Sequence, residues 1–163
     1  MKLTKNYLAI LCISVACVGC VAYGPASSEK NHQLIKNALP SDDNNTIVMG
    51  SAEWFPLTRG FSDFKSILQT GKKPNPKMGG LAVTDKTIYF AEWDESAKRY
   101  FLIKKIAIND IQEVILDKWG VNRRFSVQNP DLTFDSFAFI SWVTDETDRT
   151  IKAFEYLKSV VKK

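Results

Sequence analysis

Cysteine, histidine, glycine and proline are all scarce in this 163-residue chain, and each scarcity removes a class of function. The three cysteines, Cys12, Cys17 and Cys20, all fall within the first twenty residues. From Val21 onward there is none, so that body can form no internal disulfide, thiol nucleophile or cysteine-held zinc. His32 is the single histidine and precedes the apolar strands, and one imidazole in such a place makes no catalytic triad. Eight Gly and six Pro exclude collagen-like and low-complexity architectures. No G-x-x-x-x-G-K-[ST], G-x-G-x-x-G or G-x-S-x-G occurs, which leaves phosphate loops and nucleophile elbows without support. Two carboxylate pairs, Glu92 with Asp94 and Asp131 with Asp135, are conceivable acid-base groups, but each sits where turns want Asp and Glu. The expectation is a non-enzyme with no metal and no cofactor.

Charge of one sign is also lacking. The 22 basic and 18 acidic residues give +4, and removing residues 1–19, which hold Lys2 and Lys5 and no acids, leaves 20 against 18, or +2. Nucleic-acid binding calls for a basic stripe and a domain pI above about 9. A pI of 8.9 for the whole chain argues against that partner.

What is present begins at the N-terminus. Lys2 and Lys5 precede an uncharged stretch from Asn6 to Ser28, whose segment Tyr7–Val18 reads YLAILCISVACV. A basic start and a short apolar run make an export signal, whereas a spanning helix needs about 20 apolar residues and Gly19, Gly24 and Pro25 interrupt this one. The run ends in Cys17-Val18-Gly19-Cys20, which resembles the lipobox of bacterial lipoproteins. That resemblance implies a diacylglyceryl thioether on Cys20, cleavage before it and acylation of the new amino group. Cys17 stands where Leu is commonest, and it is itself a competing site, although Ser14 would then occupy the apolar subsite. Three acyl chains exceed the two signals that stable anchoring needs. In enterobacterial-type lipoproteins an Asp after the lipidated cysteine favours retention at the inner membrane, so with Val21 there the resemblance implies the outer membrane, facing the periplasm.

The remaining chain divides in two. Residues 20–45 open with polar and small residues and close with PSDDNN, and are expected to be a tether about 80–90 Å long when extended. Within it, Ser28–Leu39 has Leu34, Ile35, Ala38 and Leu39 on one helical side before Pro40. From Thr46, apolar runs alternate with turn residues, a β-rich signature. Strands are expected at 47–54, 81–83, 88–93, 100–108, 111–116, 124–128 and 136–142, with a short helix at 61–69 and a Pro- and Gly-rich loop at 71–80. Ile151, Phe154, Leu157, Val160 and Val161 then recur at helical spacing, with acids before them and Lys158, Lys162 and Lys163 at the end. Thr144 or Asp145 would cap this final helix.

Strands followed by one terminal helix is the order of the pleckstrin-homology-like superfold. The segment Gly80-Leu81-Ala82-Val83-Thr84-Asp85-Lys86-Thr87-Ile88-Tyr89-Phe90 resembles the hairpin of GRAM-type domains. Ile106-Ala107-Ile108-Asn109-Asp110-Ile111-Gln112-Glu113-Val114 resembles their following strand pair. The resemblance covers residues 46–163 and implies a mainly β domain with a C-terminal helix, a PH-like barrel of about seven antiparallel strands.

Lys72, Lys73 and Lys77 lie in the 71–80 loop, without the strand-borne Arg of phosphoinositide-binding members, and are expected at a solvated loop tip. Lys118–Arg124 is expected as a turn carrying Trp119, Arg123 and Arg124, residue types enriched at binding hot spots. The alternative places Trp119 in the core and pairs the arginines with Asp117 or Asp131. The reading is a membrane-anchored envelope lipoprotein acting as a binding or adaptor module, with a protein partner in the envelope. The other reading is a carrier holding a lipid or similar amphiphile between sheet and terminal helix.

Overall fold

A computed structural model of the chain describes Gly24 and residues 28–43, 45–58, 76–119, 122–140 and 146–161. Helix α1 (Ser28–Ala38) precedes strands β1 (Thr46–Thr58), β2 (Lys77–Thr84), β3 (Thr87–Asp94), β4 (Arg99–Ala107), β5 (Glu113–Trp119), β6 (Asn122–Gln128) and β7 (Phe134–Phe139), and helix α2 (Thr147–Val160) follows. The strands form one antiparallel sheet in the order β4-β3-β2-β1-β7-β6-β5.

The long strand β1 joins the two halves of this sheet. Its residues 46–54 pair with β2 and residues 52–58 with β7, with register shifts near each end. Side chains alternate across a strand, so Val48, Ala52 and Trp54 share one face with Leu81, Val83, Ile88, Phe90, Phe125, Val127, Phe137 and Phe139. Helix α2 lays Ala153 and Leu157 on that face with Phe154, Tyr156 and Val161 partly buried beside them; of the expected stripe Leu157 is the fully buried member, Val160 is 39% exposed, and Ala153 lies outside it. A Phe, Leu or Ile fully buried in this way contributes about 1.5–3 kcal/mol. The Thr150 hydroxyl accepts a hydrogen bond from the Phe139 amide at 3.1 Å, tying the helix to β7.

The expected class, mainly β with a C-terminal helix, is what the structure has, but the barrel needs correction. The sheet is not closed, and β4 and β5 are its two edges. The chain crosses between those edges through a 3-10 turn, Ile108–Asp110, and Ile108 and Ile111 drop into the core. Backbone bonds at this corner run to other parts of the sheet, from the Ile108 amide to the Lys86 carbonyl in the β2–β3 turn and from the Gln112 amide to the Gln128 carbonyl of β6.

The tether also needs correction. Its residues 28–43 are folded against the sheet. Leu34, Ile35, Ala38 and Leu39, the side predicted from spacing, join Ala82, Tyr89, Ala91 and Tyr100 on the outer face. Ile35 is 1% exposed and sits on Gly80, where an added Cβ would lie 2.5 Å from its Cγ1. Asn31 donates to the Ser51 hydroxyl and accepts from the Tyr100 hydroxyl, both at 2.6 Å. Beyond the helix, the buried Asp43 carboxylate accepts from Thr84 at 3.0 Å and Tyr89 at 2.9 Å. The polar ends of this segment suggested a spacer, but a four-residue apolar stripe found a face to cover. With both faces covered, β2 and β3 are buried almost continuously instead of alternating.

Smaller differences follow from the same packing. Lys77–Gly80 belong to β2 rather than to a loop, because Gly79 and Gly80 make room for close neighbours, the Ala91 carbonyl and Ile35. The fifth strand begins at Glu113, after Ile111 has turned inward, and β5 and β6 extend to Trp119 and from Asn122, so Arg123 and Arg124 lie on a strand. The expected helix at 61–69 and the capping residues Thr144 and Asp145 lie outside the described residues; α2 is preceded by Glu146.

Candidate functional site

The two ends of the sheet differ. Helix α2 covers one, where the Tyr156 hydroxyl donates to the Asp85 carbonyl in the β2–β3 turn at 3.4 Å. At the other end of the same strands, β1 pairs Trp54 with Lys77 and β2 pairs Gly79 with Glu92. Here a polar cluster is built around one carboxylate. Asp135, on β7, is 0% exposed. It accepts from the Trp54 indole at 2.7 Å and the Asn129 amide at 2.8 Å, and forms an ion pair with Lys104 of β4 at 2.8 Å. The Lys104 bond reaches from an edge strand to a strand that is not its neighbour in the sheet, so a charge pair spans this end of the open sheet.

Trp54 is the floor of the cluster. Its ring stacks on Phe137 at 6.4 Å and 13° and tilts against Phe90 at 5.4 Å. The ammonium groups of Lys77 and Lys104 each lie 5.8 Å from its centroid, within cation–π range. Lys77 also approaches Glu92 at 3.8 Å, with both side chains about half exposed. The ring itself is buried, so of this cluster Lys77 and Glu92 are the side chains that meet solvent most. The carboxylate is engaged by an indole, an amide and an ammonium, an arrangement that fixes geometry rather than moves protons.

The sequence-derived candidates separate. Lys77 belongs to this end; Lys72, Lys73 and Cys20 lie outside the described residues. Arg123 is exposed and faces Lys118 in register. Arg124 is 3% exposed, bound through Nε to Asp117 Oδ2 at 3.0 Å and through Nη2 to the same oxygen, with its guanidinium 5.9 Å from the Phe55 ring. It is therefore the structural ion pair with Asp117, and the hot-spot reading fails for it. Trp119 ends β5 opposite Asn122, and its side chain lies outside the described set.

Of the carboxylate pairs, Asp94 and Asp131 are turn residues. Asp94 accepts from the Ser96 hydroxyl and from the Ser96 and Ala97 amides, and the Ser96 bond leads in holding its carboxyl below the usual range. Asp131 does the same with Thr133, whose hydroxyl and amide lower its carboxyl. Asp135 departs from the turn expectation altogether. Sequence reasoning missed Trp54, Lys104 and Asn129; an acid set among Phe134, Phe137 and Phe139 was the one available sign of a buried network.

A second polar contact joins the helices. Arg149 of α2 lies 3.1 Å from His32 of α1 and 2.9 Å from Glu146. Burial first, then the Arg149 charge, lowers the His32 pKa, while a hydrogen bond to the Met49 carbonyl raises it. Burial raises the Glu146 carboxyl. Among the described residues no group of three or more His, Cys, Asp or Glu side chains could hold a metal, and no helix is long and apolar enough to cross a membrane. No protein-family model matches the chain, and no curated protein matches it in sequence.

Proposed function

We propose that the protein is an envelope lipoprotein, anchored by acyl chains on Cys20, whose PH-like domain of the GRAM type serves as a non-enzymatic adaptor for a protein partner at the periplasmic side of the outer membrane. The single observation that carries the adaptor over the carrier is the filled interior. Phe125, Phe137, Phe139, Ala153 and Leu157, where sheet and α2 meet, are each 0% exposed, so the volume a carrier would give to an amphiphile is occupied by side chains. Recognition then falls to surfaces, and at the end built on the buried Trp54 the half-exposed Lys77 and Glu92 are the groups a partner can reach.

The anchor is tested by growing cells that express the full chain with labelled fatty acid. Label in the wild type and none in Cys20→Ala is the expected result. Label retained in Cys20→Ala and lost in Cys17→Ala would move the site, and no label in any form would remove the anchor.

A further inference from the structure

Edge strand β4 carries Phe101, Leu102 and Ile103 at 38%, 38% and 37% exposure, three consecutive large apolar residues in the open. Exposed runs of this kind mark contact surfaces. Basic residues flank them: Lys98 and Arg99 on one side, Lys104 and Lys105 on the other. Lys104 is committed to Asp135 and Lys98 to Glu95, while Arg99, which faces Asp94 in register, lies over the Phe101 ring at 4.3 Å and Lys105 over Tyr89 at 5.8 Å. From Glu95 to Ala107 there are four bases and one acid.

Gly24, the first of the described residues, lies beside this strand. Gly24, at φ +101°, packs so closely on Tyr100 that an added Cβ would lie 2.2 Å from its hydroxyl and 3.2 Å from Asn31. Only four residue steps separate Gly24 from Cys20, at most about 14 Å of extended chain. Resting on the lipid anchor proposed above, we infer that β4 is the membrane-facing edge of the domain: Phe101, Leu102 and Ile103 enter the headgroup region of the leaflet that holds the Cys20 acyl chains, with Arg99 and Lys105 against anionic headgroups.

Two features favour lipid over a partner strand. The β3–β4 register shifts between Phe90 and Ala91, and such a bulge, with lysines along the edge, opposes regular strand addition. A shallow seat also leaves the edge's backbone groups at headgroup depth, where water satisfies them, instead of in hydrocarbon. The anchor therefore fixes orientation as well as location. It sets the end holding Trp54 and Asp135 close to the bilayer, since Lys104 of the same strand belongs to it.

The test uses the full mature lipoprotein in vesicles of phosphatidylethanolamine and phosphatidylglycerol. Leu102→Cys gives one free thiol for an environment-sensitive fluorophore, because Cys20 is a thioether; Ser159→Cys, at an exposed position of α2, is the control. Intact mass and vesicle flotation report the anchor separately. The expected result is blue-shifted emission at position 102, quenched by spin-labelled lipids with shallow labels and weakened when Arg99→Glu and Lys105→Glu are added, with no quenching at 159. An acylated, floating protein whose probes at 102 and 159 are equally insensitive to lipid quencher would overturn the orientation and leave the anchor standing. A blue shift at 102 that is untouched by lipid quencher and grows with protein density would assign the edge to a second copy, also overturning it. A chain without acyl mass that stays in solution would overturn both.

Discussion

Replacing Ile35 with Ala should cost about 2–5 kcal/mol, the range for truncating a buried Ile whose surroundings relax only in part. Ile35 is 1% exposed and wedged among Gly80, Ala82, Tyr89, Ala91 and Tyr100. If residues 20–45 were the spacer their composition suggests, the same change would cost nothing measurable. Its partner is Gly80→Ala. A Cβ there would lie 2.5 Å from Ile35 Cγ1 and 2.8 Å from Cδ1, so overpacking should cost about 1–3 kcal/mol in the native background. The double variant is the informative one, because the new methyl enters the space that Ile35 vacates. Its loss should fall short of the sum of the two single losses by at least about 1 kcal/mol, as expected for residues in contact. Urea unfolding of the chain from Val21, followed by tryptophan emission and analysed with a shared m value, reads all four corners of the cycle. Additive losses, or an Ile35→Ala loss below about 0.5 kcal/mol, would refute the docking of α1 on Gly80.

Asp135→Ala should cost about 3–5 kcal/mol, since it strands the Trp54 indole and the Lys104 ammonium together, and adding Lys104→Met should recover part of that loss in the same unfolding assay. Arg124→Ala should be similarly costly, while Arg123→Ala should stay within about 0.5 kcal/mol; the reverse order in melting experiments would restore a purely surface role to Arg124. His32 sets a pH dependence. Its folded pKa lies below the ordinary value of about 6.5, so its contribution is fully present above that value and is lost as pH falls toward the folded pKa. Unfolding free energies should therefore decline from pH 7 to 5.5, and His32→Gln should flatten that decline. Glu146, with its carboxyl raised by burial, acts in the opposite sense, adding stability as pH falls through its folded pKa, so a decline that His32→Gln leaves unchanged would refute the assignment to His32.

The strands were legible because alternation and turn residues speak locally. Thr84-Asp85-Lys86-Thr87 marked a hairpin whose Thr84 hydroxyl indeed receives the Thr87 amide at 2.9 Å, and the 151–161 stripe marked α2. What stayed hidden depends on partners far apart in sequence. Ile35 reads as part of a weak helix in a polar segment until Gly80, 45 positions on, supplies its seat. Gly79 and Gly80 read as loop signals for the same reason, although they serve a strand. Asp135 reads as a turn acid, and only the fold brings Trp54, 81 residues earlier, to its carboxylate. Arg124 looks like a surface anchor until strand register sets it against Asp117.

The measurement that bears most directly on the central claim is native mass spectrometry of the full protein released gently from its own membranes. The account predicts a triacylated chain beginning at Cys20, carrying a bound protein and no small hydrophobic adduct. An unacylated chain holding a small hydrophobic molecule would contradict both the anchor and the adaptor, and would make the protein a carrier.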